Sequence, residues 1–277
     1  MDKRLPPGLH IVATPIGNLG DLSPRAADTL RKADRILAED TRVTAKLLAH
    51  IGATVPMSRY DDHSSEVERD RIVARLDEES VALVSDAGTP LISDPGYKLV
   101  RAARAAGREV HTVPGPSAVV AALSLAGLPT DRFLFAGFLP AKAKARSDSI
   151  AEMAHVRATL VLYESGPRLA DTLMALREKL GTREAAVIRE ISKLYEECVT
   201  GSLPELAERY AGATPKGEIV IVIGPPGEAP EASDEALDAA LDDALSRLSP
   251  SRAAAKVAEE LGVSRKRVYA RALEHRK

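Results

Sequence analysis

Apolar positions along this chain follow two alternating rhythms. Short continuous runs rich in Val, Ile, Leu and Phe have the pattern of strands buried on both faces. Between them lie longer stretches in which apolar residues recur every three or four positions, the pattern of helices packed on one side. In the first half the order is regular. Strands are predicted over residues 9–14, 35–38, 81–84 and 109–113, with helices over 24–32, 41–51, 64–78, 98–106 and 117–126. Ser23-Pro24 supplies an N-cap followed by proline at the first helical position, and Gly52, Gly107 and Gly127 stand where helices stop. Strand–helix alternation of this kind builds a parallel sheet.

After residues 114–117 the pattern changes. Strands are predicted over 133–138, 159–163, 185–191, 194–200 and 218–223, with helices only at 149–155, 168–180 and 204–210. Consecutive strands imply a mixed sheet. The predicted fold is therefore α/β, with one α/β domain over 1–115 and a second over 116–228. Residues 224–230, rich in Gly and Pro, read as a linker. Beyond it, helices are predicted over 234–248, 251–261 and 264–274, the last two joined by a turn at Gly262. Ala254, Val257, Ala258 and Leu261 fall at helical spacing, as do Val268, Ala272 and the pair Tyr269 and Leu273. Ser264 can cap the last helix, whose first turn carries Arg265-Lys266-Arg267. Residues 233–277 thus resemble a helix-turn-helix, which meets nucleic acid through the start of its second helix. A plain three-helix packing unit fits the same pattern.

Composition narrows the class. At 45% hydrophobic and 28% charged residues, the chain is typical of globular proteins rather than disordered or fibrous ones. No apolar run approaches the roughly 20 residues of a membrane helix. The start, Met1-Asp2-Lys3-Arg4-Leu5-Pro6-Pro7, lacks the apolar core of a secretory signal, so a cytoplasmic location is expected. Cys198 is the only cysteine and the six histidines lack metal-ligand spacing, so neither a disulfide framework nor a metal site is expected. Residues 245–277 hold nine Lys/Arg against three acids, a charge of +6 that leaves −8 on the rest. A basic module on an acidic body points to nucleic acid.

The chemistry lies in the loops. The apolar run 81–84 breaks into Val84-Ser85-Asp86-Ala87-Gly88-Thr89-Pro90, with Asp94-Pro95-Gly96 behind it. Open α/β sheets bind ligands at the carboxyl ends of their strands, and small residues there let a ligand lie against the backbone. Similar loops occupy 15–20, 114–118 and 137–140. No Gly-x-Gly-x-x-Gly or Walker loop is present, which disfavours a nicotinamide or nucleotide-triphosphate enzyme. Ser117, opening a helix, offers a hydroxyl and free N–H groups.

Several longer motifs occur in a fixed order: Ala13-Thr14-Pro15-Ile16-Gly17-Asn18-Leu19-Gly20-Asp21-Leu22-Ser23 with Arg25-Ala26, then Ala38-Glu39-Asp40-Thr41-Arg42, then 84–90 with 94–96. Pro114-Gly115-Pro116-Ser117-Ala118 and Gly137-Phe138-Leu139-Pro140 complete the set. With them the chain resembles, over essentially its whole length, the small-subunit (16S) ribosomal RNA cytidine-2′-O-methyltransferase family of the tetrapyrrole-methylase superfamily. It departs from that family's pattern at three places: Asp61-Asp62-His63 replaces His-Asp/Glu-His, Glu190-Ile191-Ser192-Lys193 replaces Glu-Leu-Thr-Lys, and Glu164-Ser165-Gly166-Pro167-Arg168 lacks a histidine.

The resemblance implies S-adenosylmethionine in a cleft between the two α/β domains, a homodimer, and small-subunit RNA or the assembled 30S subunit as partner. Carried over motif by motif, it implies Leu19, Ser85, Asp86, Thr89, Ser117, Ala118, Tyr163, Glu164, Ile191 and Gly217 as cofactor residues. A ribose hydroxyl is a poor nucleophile, so a base is sought among Glu39, Asp40, His63, Glu190 and Lys193, with Lys193 the first choice and Glu190 the second. Lys193 qualifies only if burial or a neighbouring cation lowers its pKa. Arg42 and Arg168 suit RNA phosphate or a carboxylate through a bidentate fork, and Arg265, Lys266 and Arg267 suit RNA. Three other readings stay open: a methylase of a tetrapyrrole or other small molecule, an RNA-binding ribosome assembly factor without enzymatic activity, and a DNA-binding regulator fused to a cofactor sensor.

Overall fold

The structure, a computed structural model, describes residues 4–61, 63–227, 234–261 and 263–274. Asp62 of the third loop, residues 228–230 of the linker and the predicted turn at Gly262 lie outside them. The chain forms two compact units that meet in sequence at Pro225 and Pro226.

The first unit holds two sheets. Strands β1 (Gly8–Val12), β2 (Arg35–Ala38), β3 (Met57–Arg59), β4 (Ser80–Val84) and β5 (Val110–Val113) form a parallel sheet in the order β3-β2-β4-β1-β5. All residues of β1 and β4 are buried, as central strands covered on both faces require. One face packs Leu9, Ile11, Leu37, Val81 and Leu83 against α3 (Glu66–Arg75) and α4 (Tyr97–Ala105). The other packs Val12, Ile36, Ala82 and Val84 against α1 (Pro24–Lys32) and α2 (Thr41–His50). The predicted cap of α1 is present, with Ser23 Oγ accepting from the Ala26 N–H at 3.0 Å. Strand β3 was not expected; it is a three-residue edge strand that no apolar run marks.

The second sheet contains β6 (Phe133–Phe138), β7 (Thr159–Ser165), β8 (Glu184–Arg189), β9 (Glu197–Ser202) and β10 (Glu218–Ile223), in the order β6-β7-β10-β8-β9. The β6–β7 pair is parallel and the other pairs antiparallel, the mixed sheet that consecutive strands imply. Helix α5 (Ala118–Ala126) covers one face; α6 (Ala143–Met153), α7 (Gly166–Leu180) and α8 (Leu203–Arg209) cover the other. Ile16, on the loop after β1, is buried in the core beneath α5, so the first sheet's loops key into the second sheet. Strand β9 begins three residues later than predicted. Leu194 and Tyr195, 88% and 68% exposed, belong to the preceding loop.

The second unit packs α9 (Asp234–Leu245), α10 (Pro250–Leu261) and α11 (Arg265–Glu274) around Leu237, Leu241, Ala254, Val257, Val268 and Ala272. The helically spaced pair Tyr269 and Leu273 is 42% and 47% exposed. Each stands about 100° around the helix from the buried 268/272 stripe, so both turn outward. Helix α9 also alters the charge balance. Its Asp234 pairs with Arg267 at 2.9 Å, and Asp238 holds Arg271 through two bonds of 2.7 and 2.8 Å. With its five acids included, residues 234–277 carry a net charge of only +1. No helix among the described residues is long and apolar enough to cross a membrane.

Candidate functional site

The carboxyl ends of the first sheet's strands are fastened to one another. Thr14 and Gly88 exchange backbone hydrogen bonds of 2.8 and 3.1 Å, joining the loops after β1 and β4. The Thr89 hydroxyl donates to the Pro116 carbonyl at 3.0 Å, joining the loops after β4 and β5, and the Asp40 N–H donates to Asp86 Oδ1 at 3.0 Å. Gly88 has φ +81°, and an added Cβ would lie 3.3 Å from Ile16 Cγ2, so glycine keeps this wall thin.

Among the described residues, two cavities adjoin the loop after β4. The first, about 220 Å³, is lined by Ala87, Gly88, Thr89, Ile92, Ser93 and Asp94 from the loop after β4, and by Ser117 and Ala118 at the start of α5. Phe138, Tyr163, Glu164, Ile191 and residues 218–220 close it from the second sheet. Ser117 does not cap α5 with its hydroxyl, so the first-turn N–H groups keep their capacity to donate. The second cavity, about 260 Å³, is lined by the loop after β1, by Val43, Thr44 and Leu47 of α2, and by Ser85, Asp86 and Lys193. Ile16, Ala87 and Glu218 border both.

Carboxylates give the site its electrostatic character. Burial, then the charges of Asp94 and Glu218, push Tyr163 up to about 12. Asp94 is raised by burial and by Asp86 despite a hydrogen bond from Ser85. Glu39 is raised by burial and by Asp86 and Asp94. Among the described residues no cluster of three or more His, Cys, Asp or Glu is placed to hold a metal.

The loop after β8 reaches across the cleft. Glu190 and Ser192 adopt left-handed backbone (φ +53° and +66°) on either side of buried Ile191. Such conformations cost a non-glycine residue roughly 1–3 kcal/mol and cluster at functional sites. Lys193 Nζ donates to Glu190 Oε1 at 2.8 Å and to Glu218 Oε2 at 3.0 Å. Its stem crosses Gly17, where an added Cβ would lie 2.7 Å from Lys193 Cε. The Ser192 hydroxyl donates to Asp21, a bond from the second lobe to the first. Gly217 (φ +100°) serves the same network, since a Cβ there would meet the Glu190 carboxylate at 2.5 Å.

At Lys193 the direction of the shift is the opposite of the one a base requires. Burial pulls its pKa down, but Glu190 and Glu218 outweigh burial and the net shift is upward, so Lys193 is held as a cation. Glu190 in turn lies below the ordinary carboxylate range, mainly because Lys193 donates to it.

The cofactor candidates divide between the cavities: Thr89, Ser117, Ala118, Tyr163, Glu164 and Ile191 line the first, and Leu19, Ser85 and Asp86 the second. Gly217 lines neither and lies against Glu190. The buried Glu164 carboxylate is engaged internally, accepting from Thr172 Oγ1 at 2.6 Å and from the Ser165 N–H at 2.8 Å. Arg168 is drawn to Glu164 at 3.3 Å and to the Leu139 carbonyl at 2.6 Å, and Arg42 forms a fork on Asp40. Both arginines therefore hold carboxylates of this chain. At the start of α11, Arg265 and Lys266 are exposed while Arg267 turns toward Asp234. Sequence reading missed Glu218, which merely opens a predicted strand. Asp94 stood in a quoted motif without a role.

A family profile described as Tetrapyrrole (Corrin/Porphyrin) Methylases matches residues 8–207, and one described as RsmI C-terminal HTH domain matches residues 231–276. The chain is 54% identical over 272 residues to the ribosomal RNA small subunit methyltransferase I of Erythrobacter litoralis, covering 98% of this chain and 96% of that protein. The protein of the same name from Xylella fastidiosa is 49% identical over 268 residues, covering 95% and 98%. Among solved structures, diphthine synthase superposes with a TM-score of 0.62 at 17% identity, over 78% of this chain and 89% of that one. Uroporphyrin-III C-methyl transferase from Thermus thermophilus, complexed with S-adenyl homocysteine, gives 0.54 at 22% identity, over 78% and 97%. At such identities the structural likeness establishes the fold.

Proposed function

Because this chain belongs to the tetrapyrrole methylase family, we propose that it is an S-adenosylmethionine-dependent ribosomal RNA methyltransferase that methylates the 2′-hydroxyl of a cytidine in 16S RNA. The observation that carries this reading is the pair of cavities meeting at Ile16, Ala87 and Glu218. Group transfer between two bound molecules needs two adjoining pockets, and the relatives' names supply the acceptor class.

The residues of the first cavity fit the donor. Ala87 and Gly88 leave room against the backbone, Ile92, Phe138, Ile191 and Val220 suit a flat heteroaromatic ring, and the start of α5 offers donors to a carboxylate. Asp94 and Glu218 suit a cation. When bound, S-adenosylmethionine supplies an electrophilic sulfonium methyl. In the second cavity Lys193 has three N–H donors and uses two on carboxylates, which leaves one for an acceptor oxygen or its phosphate. Lys193 and Glu190 thus orient the acceptor. Alignment of the reacting atoms contributes roughly 7–11 kcal/mol in well-positioned systems and is the main source of rate here. Arg265 and Lys266 on the exposed face of α11 dock RNA, and the chain works as a homodimer in the cytoplasm on naked RNA or the 30S subunit.

The test offers methyl-labelled donor with naked 16S RNA, 30S subunits or a porphyrinogen. A 2′-O-methyl group blocks alkaline cleavage, so label is expected in an alkali-stable dinucleotide beginning with cytidine. Label in the porphyrinogen alone, or in alkali-labile nucleotides, overturns the proposal.

A further inference from the structure

Glu218 stands at the border of both cavities, yet no motif marks it. Its backbone N–H donates to Glu190 Oε1 at 3.0 Å and its Oε2 accepts from Lys193 Nζ at 3.0 Å. No hydrogen bond to its Oε1 occurs among the described residues, and the side chain is 76% exposed. With Tyr163 and Asp94 it lines the first cavity, and its charge and that of Asp94 both oppose ionisation of Tyr163. Glu190, Lys193 and Glu218 together carry one surplus negative charge. Lys193 therefore does not exhaust the carboxylates around it, and the wall facing the donor stays negative.

We propose that Glu218 is a specificity-determining residue that distinguishes the charged methyl donor from its neutral demethylated product. This rests on the proposed placement of S-adenosylmethionine in the first cavity. Transfer breaks the sulfur–carbon bond and forms the oxygen–carbon bond, with the electron pair remaining on sulfur and the hydroxyl proton passing to solvent water. The molecule left in the cavity has lost its positive charge. A carboxylate at the shared border attracts the sulfonium form and has no comparable interaction with the thioether. It then keeps only Lys193 as its cationic partner. Donor is favoured over product at a point that the acceptor also touches, which counters inhibition by product.

Calorimetric titration of wild type, Glu218→Gln and Glu218→Asp with S-adenosylmethionine and S-adenosylhomocysteine, in the absence of RNA, tests this. Glu218→Gln is expected to weaken donor binding roughly two- to fivefold, the range of a solvent-screened ion pair, and product binding by less than half that factor. Glu218→Asp keeps the charge and is expected to retain the preference. Equal losses for donor and product, or no loss for either, overturn the assignment while leaving the donor site intact. If wild type binds neither ligand, the proposed function itself fails. Should Glu218→Gln not fold, loss of the donor preference in Glu218→Asp with unchanged product affinity counts against the assignment.

Discussion

A methyl group on Gly17 would occupy the space through which Lys193 crosses from the second lobe, and φ at this position is +152°. Gly17→Ala is therefore expected to displace Lys193, and misplacement by about 1 Å can lower turnover by up to about 10²-fold. Single-turnover kinetics should show the loss while donor binding stays within twofold. Glu164 makes a different prediction. Its side chain is 1% exposed and holds Thr172, the Ser165 N–H and Arg168, so Glu164→Ala leaves buried partners unsatisfied. The expected loss, read by urea denaturation, is about 3 kcal/mol. His10 links stability to acidity. It is 3% exposed and stacks on His111 with ring centroids 4.6 Å apart. Burial lowers its pKa below the ordinary 6.5, although the Pro6 carbonyl opposes the shift. The unfolded chain takes up a proton as pH falls through 6.5, before the folded one does, so the stability due to neutral His10 is present above 6.5 and lost below it. Urea midpoints at pH 7.5 and 5.5 should differ more for wild type than for His10→Gln.

At the scale of elements, what could be read in advance depended on whether local chemistry or tertiary contact fixed each boundary. Strands β2, β6 and β10 match their predicted spans because continuous apolar runs mark them. Helix α1 starts where Ser23 and Pro24 place it. By contrast, α6 begins at Ala143, six residues before the predicted start, because residues 143–148 are mostly polar and only Arg146 among them is buried. The site followed the same rule. Its loops were visible as runs of small residues after strands, whereas the interlobe bond of Ser192 and the close approach of the Lys193 stem to Gly17 join positions far apart in sequence and leave no local signal. Helix α8 offers a test at this scale. Its capping box has Ser202 Oγ accepting from the Glu205 N–H while Glu205 accepts from the Ser202 N–H. Ser202→Ala is expected to cost about 1 kcal/mol in denaturant titrations.

For the whole molecule, charge placement matters more than net charge. The helical unit is nearly neutral, yet its ion pairs with α9 fall on Arg267 and Arg271 and leave Arg265 and Lys266 exposed on the same helix. Each phosphate contact adds about one unit to the salt dependence of RNA binding. Replacing Arg265 or Lys266 by alanine should therefore reduce the slope of log affinity against log salt by about 1 each, and Arg267→Ala by less. Filter binding over a salt series measures this. The common border at Ile16, Ala87 and Glu218 carries a consequence for inhibitor chemistry. If the donor and the acceptor nucleoside lie where we propose, a single compound joining an adenosine-like head to a nucleoside tail through a short tether is expected to occupy both chambers at once. Because the second attachment is then intramolecular, such a compound should outperform either fragment by far more than their separate affinities suggest, provided the tether spans that partition without strain.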